Sequence, residues 1–305
     1  MSPEFTVPGP GVYDLTPEQY HADCCPEPSL SSSGIKRLLS GSPASFASWH
    51  PRLTRWPDRL RDTTDAQDIG AIAHCIVLGK GTRYIVGDPS EHLTEKGVPS
   101  QTWGSKAAAQ WKAAREADGL IVITRERSAR AETAAQVMKD LIVAEYGDFP
   151  LGESEQAVIW RGETSAHGSI WCRALVDHIS RKHLLILDPK FTDLAIDDRS
   201  IQRKAASEQW HIQQAFYTEG VEALAPNTKG RWAFRFVVCE LNPPFQARFV
   251  DLPESWIHVA RMRIDRAADT FALCLKNNSW PALPKTCSPQ PPDWLMREYE
   301  DEELR

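Results

Sequence analysis

Two apolar runs in the middle of the chain each close on an aspartate, and this pattern restricts the fold more than any other. The first runs from Ser169 to Asp177 and ends Leu175-Val176-Asp177. The second runs from His183 to Lys190 and contains Leu184-Leu185-Ile186-Leu187-Asp188-Pro189-Lys190. Both are short, rich in Ile, Leu and Val, and separated by the polar turn Ser180-Arg181-Lys182, the signature of two successive β-strands. Side chains alternate along a strand, so Asp188 and Lys190 leave the same face. If the strands pair, Asp177 is brought beside Asp188. Carboxylates about 4 Å apart repel by about 4 kcal/mol at an effective dielectric near 20, so such a pair wants a proton or a cation between them. Oxygen ligands suit a hard ion such as magnesium or manganese. A lysine alongside can position an attacking water or stabilise an anionic transition state. The combination points to metal-assisted hydrolysis of a phosphodiester.

The rest of the chain reads as an α/β protein, a mixed central sheet flanked by helices. Residues 1–28 are rich in Pro and Gly and predict an extended arm that packs late. Ser31 to Ser33 cap a helix near 34–39. Apolar helical spacing predicts helices over 65–78, 105–117, 125–146, 199–224 and 253–277, with loop or short strand over 81–104. Further strands are expected at 155–161, 231–241 and 247–252, the segment 162–168 forming a hairpin. This divides the chain into an N-terminal arm and helical segment packed on the core (1–60), a core (61–285) and a C-terminal tail (286–305).

Several chemistries are excluded. Gly79-Lys80-Gly81-Thr82 lacks the spacing of a phosphate-binding Walker loop, and no G-x-S-x-G elbow is present. His21, Cys24 and Cys25 have no second ligand pair to complete a zinc site. Seven scattered cysteines without a C-x-x-C indicate reduced thiols. No apolar run approaches the roughly 20 residues of a membrane span, and no secretory signal opens the chain, so a cytoplasmic protein without a membrane partner is expected. The formal charge of −6 reports solubility, not the field inside a groove. Arg52, Arg55, Arg59 and Arg61 form one basic cluster, and Arg199, Arg203 and Lys204 another. Taken alone, each reads as a solvated face. An acidic run, 297–303, reads as a frayed tail. Trp49, Trp56 and Trp103 are candidates to stack on bases.

Asp177, Asp188 and Lys190 follow the D…(D/E)-x-K pattern of the restriction-endonuclease-like nuclease superfamily, and the flanking segments resemble the RecE-type exonucleases (exonuclease VIII-like). The resemblance is carried by Val12-Tyr13, Tyr20-His21, Leu30-Ser31-Ser32-Ser33-Gly34-Ile35, Ser42-Pro43-Ala44 and Ile69-Gly70-Ala71-Ile72-Ala73-His74-Cys75. It continues through Glu155 to Trp160, Cys172-Arg173, the helix His211-x-Gln213-x-Ala215-x-Tyr217, Trp280-Pro281-Ala282 and Pro292-Asp293-Trp294. Asp at position 188, where the superfamily often has Glu, fits the RecE-type subgroup.

The resemblance implies a restriction-endonuclease-like core and a site built from these residues. Asp177, Asp188 and the carbonyl of Pro189 would hold the metal, Mg2+ with Mn2+ as a substitute. A lone His in a small-residue helix is ordinarily a hydrogen-bonded core group, but the resemblance places His74 next to the metal. Glu155, by itself a strand-end carboxylate, is likewise assigned to the metal site. Lys190 positions or deprotonates the water, Gln213 holds the water or the scissile phosphate, and Tyr217 contacts the DNA backbone. Arg173, Arg203 and Lys204 are the candidate DNA contacts. Pro189 lacks an N–H, which implies that its strand ends or lies at an edge there. The implied activity is 5′→3′ degradation of one strand from a double-stranded DNA end, leaving 3′ tails for recombination. A ring-shaped homo-oligomer, a tetramer favoured, a RecT-like single-strand annealing protein as partner, and a phage or prophage origin in a bacterial cytoplasm go with it. Two alternatives stand beside this reading: another nuclease of the superfamily, endonuclease or 3′-directed, and a DNA-end-binding module that does not cut.

Overall fold

Hydrophobic alternation in the middle of the chain makes strands, and amphipathic segments on either side supply the helices that cover them. In the computed structural model, residues 5–54, 65–292 and Met296 are described. Arg55, Trp56, Arg59, Arg61, Asp293, Trp294 and the acidic run 297–303 lie outside them. The N-terminal part holds β1 (Gly11–Tyr13), α1 (Pro17–His21), β2 (Ser29–Ser31), α2 (Ser32–Ser40) and α3 (Pro43–Trp49). The next part holds α4 (Asp65–Leu78), β3 (Tyr84–Val86), α5 (Lys106–Ala117), β4 (Ile121–Ile123) and α6 (Arg125–Tyr146). Three long strands follow: β5 (Glu153–Glu163), β6 (Ser169–Ser180) and β7 (Leu185–Thr192). The chain continues through α7 (Asp198–Ser207), α8 (Trp210–Leu224), β8 (Ala233–Glu240), β9 (Ala247–Val250) and α9 (Glu254–Asn277).

The main sheet runs β1-β5-β6-β7-β8-β9, with β2 added beside β6. It is mixed: β2–β6 and β7–β8 are parallel and the other neighbours antiparallel. A parallel β7–β8 pair needs a crossover, which α7 and α8 provide. Alternate side chains of the sheet enter different cores. Val158, Trp160, Ile186, Phe234 and Phe236 share one core with residues of α2, α3, α8 and α9. Leu185, Leu187 and Val237 pack with α4 and α6. Gly220 on α8 is required by this packing, since a Cβ there would come within 2.7–2.9 Å of the buried Trp160 ring. A helical Gly costs about 1 kcal/mol relative to Ala, and the close approach of helix to strand offsets it.

The N-terminal segment joins the main sheet: β1 pairs with β5, and β2 with β6. Val7, Tyr20, Cys24 and Cys25 are buried against Ala157 and Ile159, covering apolar surface of β5 that α4 and α6 do not reach. The helix expected over 199–224 is two helices, because Gln209 adopts φ 55 in the left-handed region and redirects the chain. The segment 81–104 includes β3, which pairs with β4 in a separate parallel ladder. Among the described residues no helix is long and apolar enough to cross a membrane.

Candidate active site

The site forms where two strands part. The antiparallel β6–β7 ladder is His178↔Leu187, Ile179↔Ile186 and Ser180↔Leu185. The next positions in that register are Asp177 and Asp188, and the ladder stops before reaching them. Farther along the same edge of β6, β2 takes over, pairing at Trp171 to Arg173. Among the described residues, the stretch of β6 that carries Asp177 therefore has β5 on one edge and no strand on the other, and from Asp188 onward β7 is paired with β8 alone. Pro189 sits in this locally single-sided stretch, where a missing N–H is tolerated, but the strand does not end there and runs on to Thr192.

Elements from both sides of the sheet bring side chains to the opening. His74, on α4, places Nε2 3.1 Å from Asp177 Oδ2 and Nδ1 3.4 Å from Glu155 Oε1. Glu155 lies on β5 opposite Asp177, and the β5–β6 register is interrupted at this one position. Its φ of 53 puts a non-glycine residue in the left-handed region, a conformation costing on the order of 1–3 kcal/mol that clusters at functional sites. One ligand atom from each of His74, Glu155 and Asp177 lies within 4.8 Å of the others, a group able to hold a metal ion. Asp188 is fully buried beside them. Its Oδ2 accepts from Gln213 Nε2 on α8, and its Oδ1 faces the Lys190 ammonium as an ion pair without an aligned hydrogen bond. Lys190 also lies 5.8 Å from the Phe236 ring centroid.

Charge in this opening is poorly compensated. Burial pushes Glu155 up to about 7, with Asp177 adding and His74 opposing. Burial pushes Asp188 up to about 6, Lys190 opposing and Asp177 adding. Burial disfavours charge on Asp177 and on His74 as well, but each overcomes it through the other: Asp177 is lowered and His74 raised. Lys190 is raised, the two aspartates outweighing its burial. A divalent cation would supply the charge these carboxylates lack. Oxygen donors with one imidazole fit magnesium or manganese.

A stability prediction follows for the metal-free protein. Glu155 has a folded pKa above its unfolded value of 4.5, so its favourable contribution is complete below pH 4.5 and is lost as pH rises to about 7. Glu155→Gln should therefore match wild type near pH 4 and exceed it at pH 8 by on the order of 1–3 kcal/mol. Denaturant melts in EDTA at the two pH values check this. Equal stability at pH 8 would mean that Glu155 is not under electrostatic strain.

A family model, the PDDEXK-like domain of unknown function (DUF3799), matches residues 31–289. The chain belongs to this PDDEXK-like domain family. No curated protein matches it. Among solved structures, a crystal structure described as a "putative exonuclease" from Eubacterium rectale matches with a TM-score of 0.55 at 14% identity. The match covers 93% of this chain and 98% of the other. At that identity the likeness concerns the fold, which is the mixed sheet flanked by helices of a PDDEXK-like nuclease. The crystal structure of SSO0001 matches at 9% identity over 51% of this chain and 68% of that one, with a TM-score of 0.24, too low to carry an argument.

Within this PDDEXK-like domain, His74, Glu155, Asp177, Asp188, Lys190 and Gln213 come together. The other candidates do not. Arg173 is buried, ion-paired to Asp23 at 2.8 Å, bonded to Ser29 and set over the Tyr20 ring. It ties β6 to the N-terminal segment, and its reading as a DNA contact is corrected. Tyr217 is 8% exposed within the core. Burial pushes its phenol well up, so the expected backbone contact with DNA is also corrected. Lys204 pairs with Glu208 at 2.6 Å, whereas Arg203 is exposed on α7. Trp49 packs on Phe46 with Arg37 over its ring, and Trp103 stacks on Trp111. Both are packing groups.

Proposed function

We propose that this PDDEXK-like domain is a divalent-metal-dependent exonuclease of the RecE type, which degrades one strand of double-stranded DNA from an end, 5′→3′, and leaves a 3′ tail. The observation that carries the reading is the meeting of Asp177, Asp188 and Lys190 at the parting of β6 and β7, with His74 and Glu155 completing the donor set. His74, Glu155 and Asp177 would hold the ion, with Asp188 and the carbonyl of Pro189 beside them. When bound, Mg2+ or Mn2+ lowers the pKa of water and neutralises phosphate charge.

The chain's own groups do the rest. Gln213 fixes Asp188 by donating to Oδ2, so that this carboxylate meets its partners in one orientation. Lys190 keeps its proton at neutral pH, because Asp188 and Asp177 raise its pKa. A protonated amine cannot take a proton from water; it serves as a donor, orienting the nucleophile or the charge that develops on phosphate. His74 is fixed between Asp177 and Glu155, so its ring stays pointed at the donor set. A RecT-like annealing protein would use the 3′ tail, and a ring of subunits would keep the enzyme on its strand.

Linear duplex DNA labelled at one 5′ or one 3′ end, compared with covalently closed circles, tests the proposal. With Mg2+, linear DNA should be converted to mononucleotides and a 3′ tail, and closed circles should survive. Cutting of closed circles would replace the exonuclease reading by an endonuclease one.

A further inference from the structure

A second concavity lies where α7, α8 and α9 meet. It measures about 330 Å3 and is lined by Ala206, His211, Ser255, Trp256, Val259 and Arg263, a size within the ordinary range for small-molecule sites. His211 stands two positions before Gln213 on α8, and residues two apart do not share a helix face. The concavity is therefore separate from the opening that holds Asp188, to which Gln213 donates.

Its polar groups are donors short of acceptors. His211 is only 5% exposed, and its Nδ1 is buried with no hydrogen-bond partner. Burial lowers its pKa and Arg263 adds to the effect, so the ring is neutral at pH 7 and carries a single N–H. Buried N–H groups are left unpaired more rarely than buried lone pairs. We assign the proton to Nε2, the ring nitrogen left for a ligand to reach. Arg263 forms no ion pair among the described residues, whereas Arg261 on the same helix holds Glu254 at 2.6 Å. Ser255 lies in the first turn of α9, whose cap, Pro253, supplies no side-chain acceptor to the leading N–H groups. The remaining wall is flat and apolar. Trp256 stands edge to face with His211, ring centroids 5.5 Å apart, and Val259 is exposed beside it. A histidine serving only to pack on Trp256 would be bettered by an apolar ring, which leaves no nitrogen unpaired. Donors grouped beside an indole suit an acceptor-rich anion carried on a planar body.

We propose that this concavity binds a nucleoside 5′-phosphate unit, its phosphate taken by Arg263, Ser255 and His211 Nε2 and its base laid against Trp256 and Val259. Base–aromatic stacking of this kind tolerates any base. The choice of a nucleotide among planar anions rests on the nuclease reading above, whose chemistry releases nucleotides and exposes single strand. A free mononucleotide and a nucleotide within a strand offer the same chemistry.

Calorimetric titration in EDTA tests the site, with deoxyadenosine 5′-monophosphate, deoxyadenosine, inorganic phosphate and a short single-stranded adenine oligonucleotide. Without metal, neither hydrolysis nor a metal-borne phosphate contributes. The monophosphate should bind wild type, and deoxyadenosine and phosphate should each bind at least about tenfold more weakly. Arg263→Gln should weaken the monophosphate roughly tenfold, the loss of one charged hydrogen bond. His211→Phe keeps the ring contact with Trp256; it should weaken binding by about three- to tenfold and melt at or above wild type. An oligonucleotide that binds more tightly than the monophosphate, and is weakened by the same substitutions, assigns the site to a strand; the reverse order assigns it to free mononucleotide. No binding of either, monophosphate binding unchanged in Arg263→Gln, or phosphate binding as tightly as the monophosphate would overturn the proposal. A wild type that hydrolyses duplex with Mg2+ but binds no nucleotide in EDTA loses this site alone. One that binds the monophosphate through Arg263 but hydrolyses no duplex loses the nuclease reading and keeps the site.

Discussion

Asp188→Asn is expected to lower hydrolysis of duplex DNA at least about 10^3-fold, about 4 kcal/mol of transition-state stabilisation, while leaving the protein folded. Asn has nearly the same shape and keeps an oxygen to accept from Gln213. What it removes is the charge. Lys190 then loses its ion-pair partner, and the donor set loses a carboxylate adjoining His74, Glu155 and Asp177. A stability role would show the opposite pattern. Because burial pushes Asp188 from 3.8 up to about 6, its ionised form in the metal-free fold costs stability relative to the unfolded chain, a cost that starts near pH 3.8 and is complete above about pH 6. The Asn variant should melt at or above wild type in EDTA at pH 8. Single-turnover hydrolysis and melting curves on the same preparations separate the two. Near-wild-type hydrolysis, or a variant much less stable than wild type, contradicts the role assigned to Asp188.

Arg173→Met should do the reverse. Arg173 is enclosed with Asp23, which also accepts from Ser29 and lies 3.2 Å from His50 Nε2. Burial opposes charge on Asp23, but Arg173 and the hydrogen bonds from His50 and Ser29 overcome it and hold its carboxyl below the usual range. Removing the guanidinium leaves a buried carboxylate short of its main partner, a loss of about 3–5 kcal/mol. For a chain of this size that is about 5–8 °C in Tm. A depressed carboxylate stabilises above its unfolded pKa of 3.8 and loses that contribution as pH falls through its folded value. The deficit of the variant should therefore shrink in acid. Calorimetry at pH 7.5 and at low pH measures it. A residue that gripped DNA from the surface would instead weaken DNA binding and leave Tm unchanged.

The strands that carry the site were legible because a mostly apolar run leads up to each aspartate, although both strands continue past it, to Ser180 and to Thr192. Asp177 and Asp188 could be placed on successive strands from sequence alone, and alternation put Lys190 on the face of Asp188. His74 and Glu155 were not legible in that way. A histidine among alanines and isoleucines reads as core, and the local backbone of Glu155, in the left-handed region, leaves no compositional trace. Their inclusion came from the resemblance. Arg173 was misread because a buried arginine and a DNA-binding arginine look alike until a partner is seen, and that partner, Asp23, is 150 residues away in the chain. The pairing of β1 with β5 and of β2 with β6 was hidden for a related reason. Each is a three-residue strand in a Pro- and Gly-rich segment, too short for periodicity to register.

Central to the whole account is a divalent cation held among His74, Glu155, Asp177 and Asp188. Anomalous scattering from crystals soaked in Mn2+ tests it most directly. The account predicts one or two manganese peaks bounded by these four side chains, lost in Asp177→Asn. Crystals of intact protein with no manganese in this opening, or with manganese only at surface carboxylates elsewhere, would contradict it.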